Sequence, residues 1–252
     1  MRGVKIWERS VKDLYGSTPA ASRRAYTEFM TIVDVPIAPH RLSTSVHAVR
    51  RILPMAGCAV PAAALRNLGV AAWVRAHGLA VTACGDEELD LVESSGVQPV
   101  HVILRCDPVT PTIRRAAALG VVRFVVSTER HVDVLSGWED PPRQVLLDDQ
   151  GPAVLGERRL DVVGMHCDVD DSQGAVEWGV AAERLLSRMA LMKTCGLQLT
   201  RISLAGGSAG RWLAGGAEEL KAIASAVDDA LDAGCARWRL PRPAVVLAPL
   251  GM

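Results

Sequence analysis

Eight short runs rich in β-branched and other apolar residues recur between residues 57 and 248, and most are followed by a longer, alanine-rich segment of helical period. Such alternation reads as repeated βα units. The runs fall at residues 57–60, 80–84, 101–106, 123–127, 144–148, 160–167, 201–205 and 244–248, with helices predicted at 62–76, 86–94, 112–119, 130–135, 175–195 and 217–233 and one more at 43–53. Gly78, Gly96, Gly120, Gly196 and Gly234 stand where helices should close, because a left-handed C-cap suits glycine. Apolar runs that do not alternate with polar residues must be covered on both faces, which implies a parallel sheet. Eight such strands in 252 residues predict an α/β fold, a (β/α)8 TIM barrel, with an open doubly wound sheet as the alternative.

One unit departs from the pattern. Eleven residues separate Asp148 from Leu160, among them Gly151, Pro152 and Gly156, too few and too broken for a packed crossover helix. The fifth helix should therefore be shortened or missing. Residues 1–39 mix polar, small and proline residues, with an amphipathic stretch at 21–30, and are treated as an appendage to a barrel domain over residues 40–252.

Composition narrows the partners. The 28 basic and 28 acidic residues cancel, so no long-range field draws nucleic acid or anionic lipid, and neither is an expected partner. Apolar stretches such as 121–126 and 244–250 are far shorter than the roughly 20 residues needed to span a bilayer. The chain starts Met1-Arg2-Gly3-Val4-Lys5 instead of with an apolar leader, so a cytoplasmic protein is expected. Six scattered cysteines, without a C-x-x-C pair, are expected to be reduced and mostly buried. There are 4 lysines against 24 arginines.

Active sites of such barrels are built at the carboxyl ends of the strands. Those ends carry Glu88 in Gly85-Asp86-Glu87-Glu88, Asp148-Asp149, the group His166, Asp168, Asp170 and Asp171, and the loop Gly206-Gly207-Ser208-Ala209-Gly210. Bare amides in a glycine loop can hold an anion, although glycines are common in β-to-α turns. Asp148, His166, Asp168 and Asp171 are candidates for a divalent metal, since oxygen ligands with one imidazole suit such an ion. Cys167 beside His166 is a poor nucleophile candidate, because adjacent strand residues point to opposite faces. His40, His47, His77, His101 and His131 show no pairing and are expected on surfaces or helix ends.

The order and spacing of several motifs resemble the fold-type III pyridoxal phosphate (PLP) enzymes, specifically the diaminopimelate/ornithine/arginine decarboxylase family, over residues 35–252. Gly164-Met165-His166-Cys167-Asp168-Val169 is similar to the family's G-L-H-C-H-[IV]-G-S-Q, and the segment from Thr82 to Leu89 to its D-V-x-S-x-G-E-L. Ile202-Ser203-Leu204-Ala205-Gly206-Gly207 is similar to its strand followed by G-G-G, and Val246-Leu247-Ala248-Pro249 takes the place of its E-P-G-R. The resemblance implies an alanine racemase-like barrel.

Carried over residue by residue, the same resemblance argues against activity. The family's Schiff-base lysine falls on Pro61, and a proline side chain has no amine to hold the coenzyme aldehyde. The second histidine falls on Asp168. The family's G-S falls on Asp170-Asp171, or on Ser172 after a one-residue insertion, and carboxylates there would repel a cofactor phosphate. Thr82 replaces an aspartate, Ala205 a glycine, and the acid and arginine of E-P-G-R are gone; Glu88, His166, Gly206 and Gly207 keep family identities. Relatives also continue into a C-terminal β domain where this chain stops.

The expectation is a decarboxylase-like barrel that has lost PLP-dependent catalysis. No cofactor and no catalytic residue are expected. A degenerate site at Glu88, His166, Asp168, Gly206, Gly207 and Ser208 would bind a ligand or anion. Function would come from a protein partner, homo-oligomer formation or a small-molecule ligand. An active PLP-dependent amino-acid decarboxylase or racemase, and a metal-assisted enzyme on the same barrel, are the alternatives.

Overall fold

A computed structural model describes residues 39–106, 110–138, 143–151 and 159–251. Its eight strands are β1 (Gly57–Pro61), β2 (Ala80–Ala83), β3 (Val102–Arg105), β4 (Arg123–Val126), β5 (Arg143–Asp148), β6 (Leu160–Val169), β7 (Arg201–Gly206) and β8 (Ala244–Ala248). Every neighbouring pair is parallel, and β8 returns to pair with β1. The sheet is a closed barrel, which excludes the open doubly wound alternative. All eight predicted runs are strands.

The helices are α1 (Pro39–Arg50), α2 (Leu68–His77), α3 (Asp86–Ser95), α4 (Thr110–Ala118), α5 (Glu129–Ser136), α6 (Ala175–Thr194), α7 (Ala209–Ala214) and α8 (Ala217–Trp238). The segment predicted as one helix at 62–76 is two elements, a 3-10 turn over Ala62–Arg66 and then α2. Asn67 divides them because its side chain accepts from the Gly69 and Val70 amides, at 3.0 and 3.1 Å. That is an N-cap, so the helix starts afresh there. The short α7 was not foreseen.

Gly78, Gly96, Gly120 and Gly196 have positive φ, as helix-closing glycines should. Gly234 does not close α8. It lies inside the helix, and Arg239 adopts the left-handed conformation instead. A Cβ on Gly234 would stand 2.6 Å from Leu186 of α6, so the position serves the close approach of two helices, a need that periodicity does not reveal. His131 lies at a helix end, as expected, but not on the surface. It sits in the first turn of α5 yet is buried, with Nδ1 accepting from the Ser127 amide at 3.3 Å. The appendage and most of the fifth crossover, residues 152–158, lie outside the described residues.

Two apolar layers hold the barrel. The outer one packs strand residues such as Val60, Leu104, Phe124, Leu147 and Met165 against the helices. Inside, Ala59, Ala205 and Ala248 meet Ala80 and Val246, while Ile103, Val125 and Leu146 fill the opposite half. Alternation along a strand then carries the next inward position, beyond these residues, to the carboxyl-end mouth.

Candidate functional site

At that mouth Arg105 ends β3, Asp148 ends β5, and His166 and Asp168 lie near the end of β6. Asp148 shares the inward face with Leu146, two residues earlier. His166 stands opposite Asp148 on one side and Ser203 of β7 on the other. Its Nδ1 lies 3.1 Å from the Ser203 hydroxyl and its Nε2 3.0 Å from an Asp168 oxygen. The Arg105 guanidinium donates to the other Asp168 oxygen at 2.5 Å. A polar chain therefore runs Ser203, His166, Asp168, Arg105 across three strands that sequence separates widely.

The charges of this chain shift its titrations. Burial works to raise the Asp168 carboxyl, but the hydrogen bond from His166 and the Arg105 charge outweigh it and hold Asp168 below the usual carboxylate range. Asp148 moves the other way. Burial pushes it up, and the neighbouring Asp149 and Asp168 charges add to that, against the Gln150 amide and His166. Cys167 points away from the mouth, as alternation predicts: Arg184 of α6 donates to its sulfur at 2.7 Å and pairs with Asp149 at 2.8 Å. Burial and the Asp149 charge push the Cys167 thiol up to about 12, so it is protonated and a poor nucleophile.

The remaining expected site residues fall elsewhere. Glu88 turns back to accept the Cys84 amide at 2.6 Å. It therefore ties down the turn that leads from β2 into α3, whose first turn is acidic as the helix dipole favours. Asp171 is nearly buried beside the glycine loop, accepting from Trp178 Nε1 at 2.6 Å and pairing with Arg211. The four metal candidates thus divide between two separate ion-paired groups. Among the described residues no cluster of three or more His, Cys, Asp or Glu side chains is placed to hold a metal.

The loop after β7 is tied down as well. The Ala209 amide donates to Gly251 at 2.7 Å and the Leu250 amide to Gly207 at 3.0 Å. Gly207 has φ near 63°, and a Cβ there would lie 2.6 Å from Asp171 Oδ2. The amide at Ala209 that looked bare from the sequence therefore has a backbone partner, and a carboxylate already fills the space beside Gly207. Ser208 is exposed, and its side chain makes no capping bond to α7.

The described residues do not fit pyridoxal phosphate held through a Schiff base. Pro61 ends β1 beside Thr82. Of the four lysines, Lys193 and Lys221 lie on the outer helices α6 and α8, one donating to the Arg239 carbonyl at 3.0 Å and the other paired with Glu218 at 2.6 Å. Lys5 and Lys12 lie outside the described residues. Arg105, Ser203, Arg211 and Trp178 were missed by sequence reasoning. The one legible signal was a single arginine closing the apolar run Val102-Ile103-Leu104-Arg105.

The barrel and the motifs around its mouth define a chain that resembles the fold-type III PLP-dependent decarboxylases. It is 28% identical, over 237 residues, to a diaminopimelate decarboxylase from Actinosynnema pretiosum subsp. auranticum; the match covers 80% of this chain and 54% of that one. The chain thus spans about half the length of that curated relative. A diaminopimelate decarboxylase from M. jannaschi superimposes with a TM-score of 0.68 at 12% identity, covering 85% of this chain and 59% of its own. The lysine/ornithine decarboxylase of Vibrio vulnificus complexed with putrescine gives 0.67 at 17%, covering 85% and 62%. At such identities the structures speak to the fold. No protein-family model matches the chain.

Proposed function

We propose that this chain is a decarboxylase-like barrel that does not hold pyridoxal phosphate as a Schiff base and works by binding, to a protein partner or to a small polar ligand at the mouth. The observation that carries the reading is Pro61 at the end of β1, together with the engagement of Lys193 and Lys221 on outer helices. An aldehyde coenzyme needs a primary amine to be tethered and exchanged. A small ligand entering the mouth would meet Arg105, Asp148 and Asp168, a mixed-charge surface suited to a polar molecule.

A second reading, an active PLP-dependent amino-acid decarboxylase, is favoured by the 28% identity to a diaminopimelate decarboxylase. It requires an amine from outside the described residues. One experiment separates the two. The full chain is mixed with pyridoxal phosphate, scanned for imine absorbance, reduced with borohydride and mapped by peptide mass. No imine band and no coenzyme adduct on any lysine is the expected result; a stoichiometric adduct on Lys5 or Lys12 would overturn the proposal in favour of the enzyme.

A further inference from the structure

Three groups around Gly207 are arranged to receive an oxyanion. The Arg211 guanidinium reaches in from α7, the Trp178 indole N–H from α6, and the left-handed Gly207 turn leaves the space a Cβ would fill. The group they receive belongs to the chain itself. One Asp171 oxygen accepts from Trp178 at 2.6 Å, the other from Arg211, and the carboxylate side chain keeps 8% of its surface exposed. Glu219 holds the second Arg211 nitrogen at 2.8 Å and orients the guanidinium. We propose that Asp171 is the built-in occupant of an oxyanion site, which the chain closes against external phosphates and carboxylates.

Two physical features support this. A buried carboxylate that receives an indole N–H and a guanidinium is bonded as a bound anion would be. The cluster also carries two carboxylates against one guanidinium. With Asp171 in place the site therefore presents net negative charge, which repels a second anion, and its donors are already engaged. Removing that one carboxylate should convert a closed loop into a receptor. The inference concerns the loop after β7 and does not depend on the missing amine at Pro61. Binding of inorganic phosphate, which forms no imine, separates its failure from that of the proposed function.

The test measures inorganic phosphate binding by calorimetry and by thermal denaturation in the full chain. Wild type is expected to show no saturable binding. Asp171→Ala should bind phosphate, with a melting temperature that rises as phosphate is added. Adding Glu219→Gln should tighten binding by roughly tenfold by removing the remaining negative charge, and adding Arg211→Ala should abolish it. Asp171→Ser, which also removes the carboxylate and leaves space for an anion, serves if the alanine variant does not fold; it too should bind phosphate. Failure of both folded Asp171 variants to bind phosphate would overturn the proposal. So would wild-type binding that Arg211→Ala abolishes.

Discussion

Asp168 and Asp148 face one mouth with opposite titrations, and the difference lies in their partners. Asp168 receives His166 and Arg105, which together outweigh the cost of burial. Asp148 receives the Gln150 amide and feels two neighbouring carboxylates. The depressed native pKa of Asp168 means that its stabilisation is fully present above the usual carboxylate range and is lost as pH falls through the lowered native value. Asp148, raised in the native state, destabilises once it is ionised, and that effect disappears on acidification. Urea denaturation from about pH 7 to about pH 3 should therefore show a shallower acid loss of stability in Asp168→Asn than in wild type. A parallel loss in both would mean that the Asp168 contacts contribute nothing. Its side chain is 43% exposed, so water screens the ion pair and the effect should be modest.

Element-scale features follow from where backbones come close. The register of β5 against β6 shifts after Val145, so that Val145 faces Val162 while Leu146 faces Gly164. The irregularity turns His166 and Asp168 toward the mouth. A Cβ on Gly164 would lie 2.1 Å from the Arg201 carbonyl of β7, and backbone in a closed sheet cannot yield that distance. Gly164→Ala should cost at least about 2 kcal/mol, or prevent folding, by the overpacking that buried insertions cause; chemical denaturation or soluble yield reads it, and an unchanged midpoint would refute the close approach. The strands were legible from the sequence because their apolar runs are uninterrupted, and the caps at Gly78 and Gly96 because left-handed φ favours glycine. Gly234 misled for a contrary reason: the same absence of a side chain serves a helix C-cap and a crossing of two helices equally well.

Closure of the barrel puts the cysteines in distinct environments. Cys58 and Cys167 are buried in the layer between strands and helices, whereas Cys84 and Cys195 are exposed. Burial pushes Cys58 up to about 12, and burial with the Asp149 charge does the same for Cys167. Since the thiolate is the reactive form, these two should react with a disulfide reagent only at the rate of global unfolding, while Cys84 and Cys195 react first. Mass mapping of a time course checks this, and early labelling of Cys58 would show that the β1–β8 closure opens locally.

The class of fold was determined by the sequence alone, through run length, the absence of alternation, and the count of eight, which are local properties that neighbouring residues impose on one another. The place of Pro61 at the end of the first strand was equally legible, since it depends on one residue type at the close of one apolar run. Only the tertiary structure decided that Arg105 holds Asp168 and that Asp171 fills the loop beside Gly207. Each of those contacts joins residues far apart in sequence whose meeting depends on which strand ends and helices the closed barrel sets side by side, and hydrophobic periodicity carries no information about that.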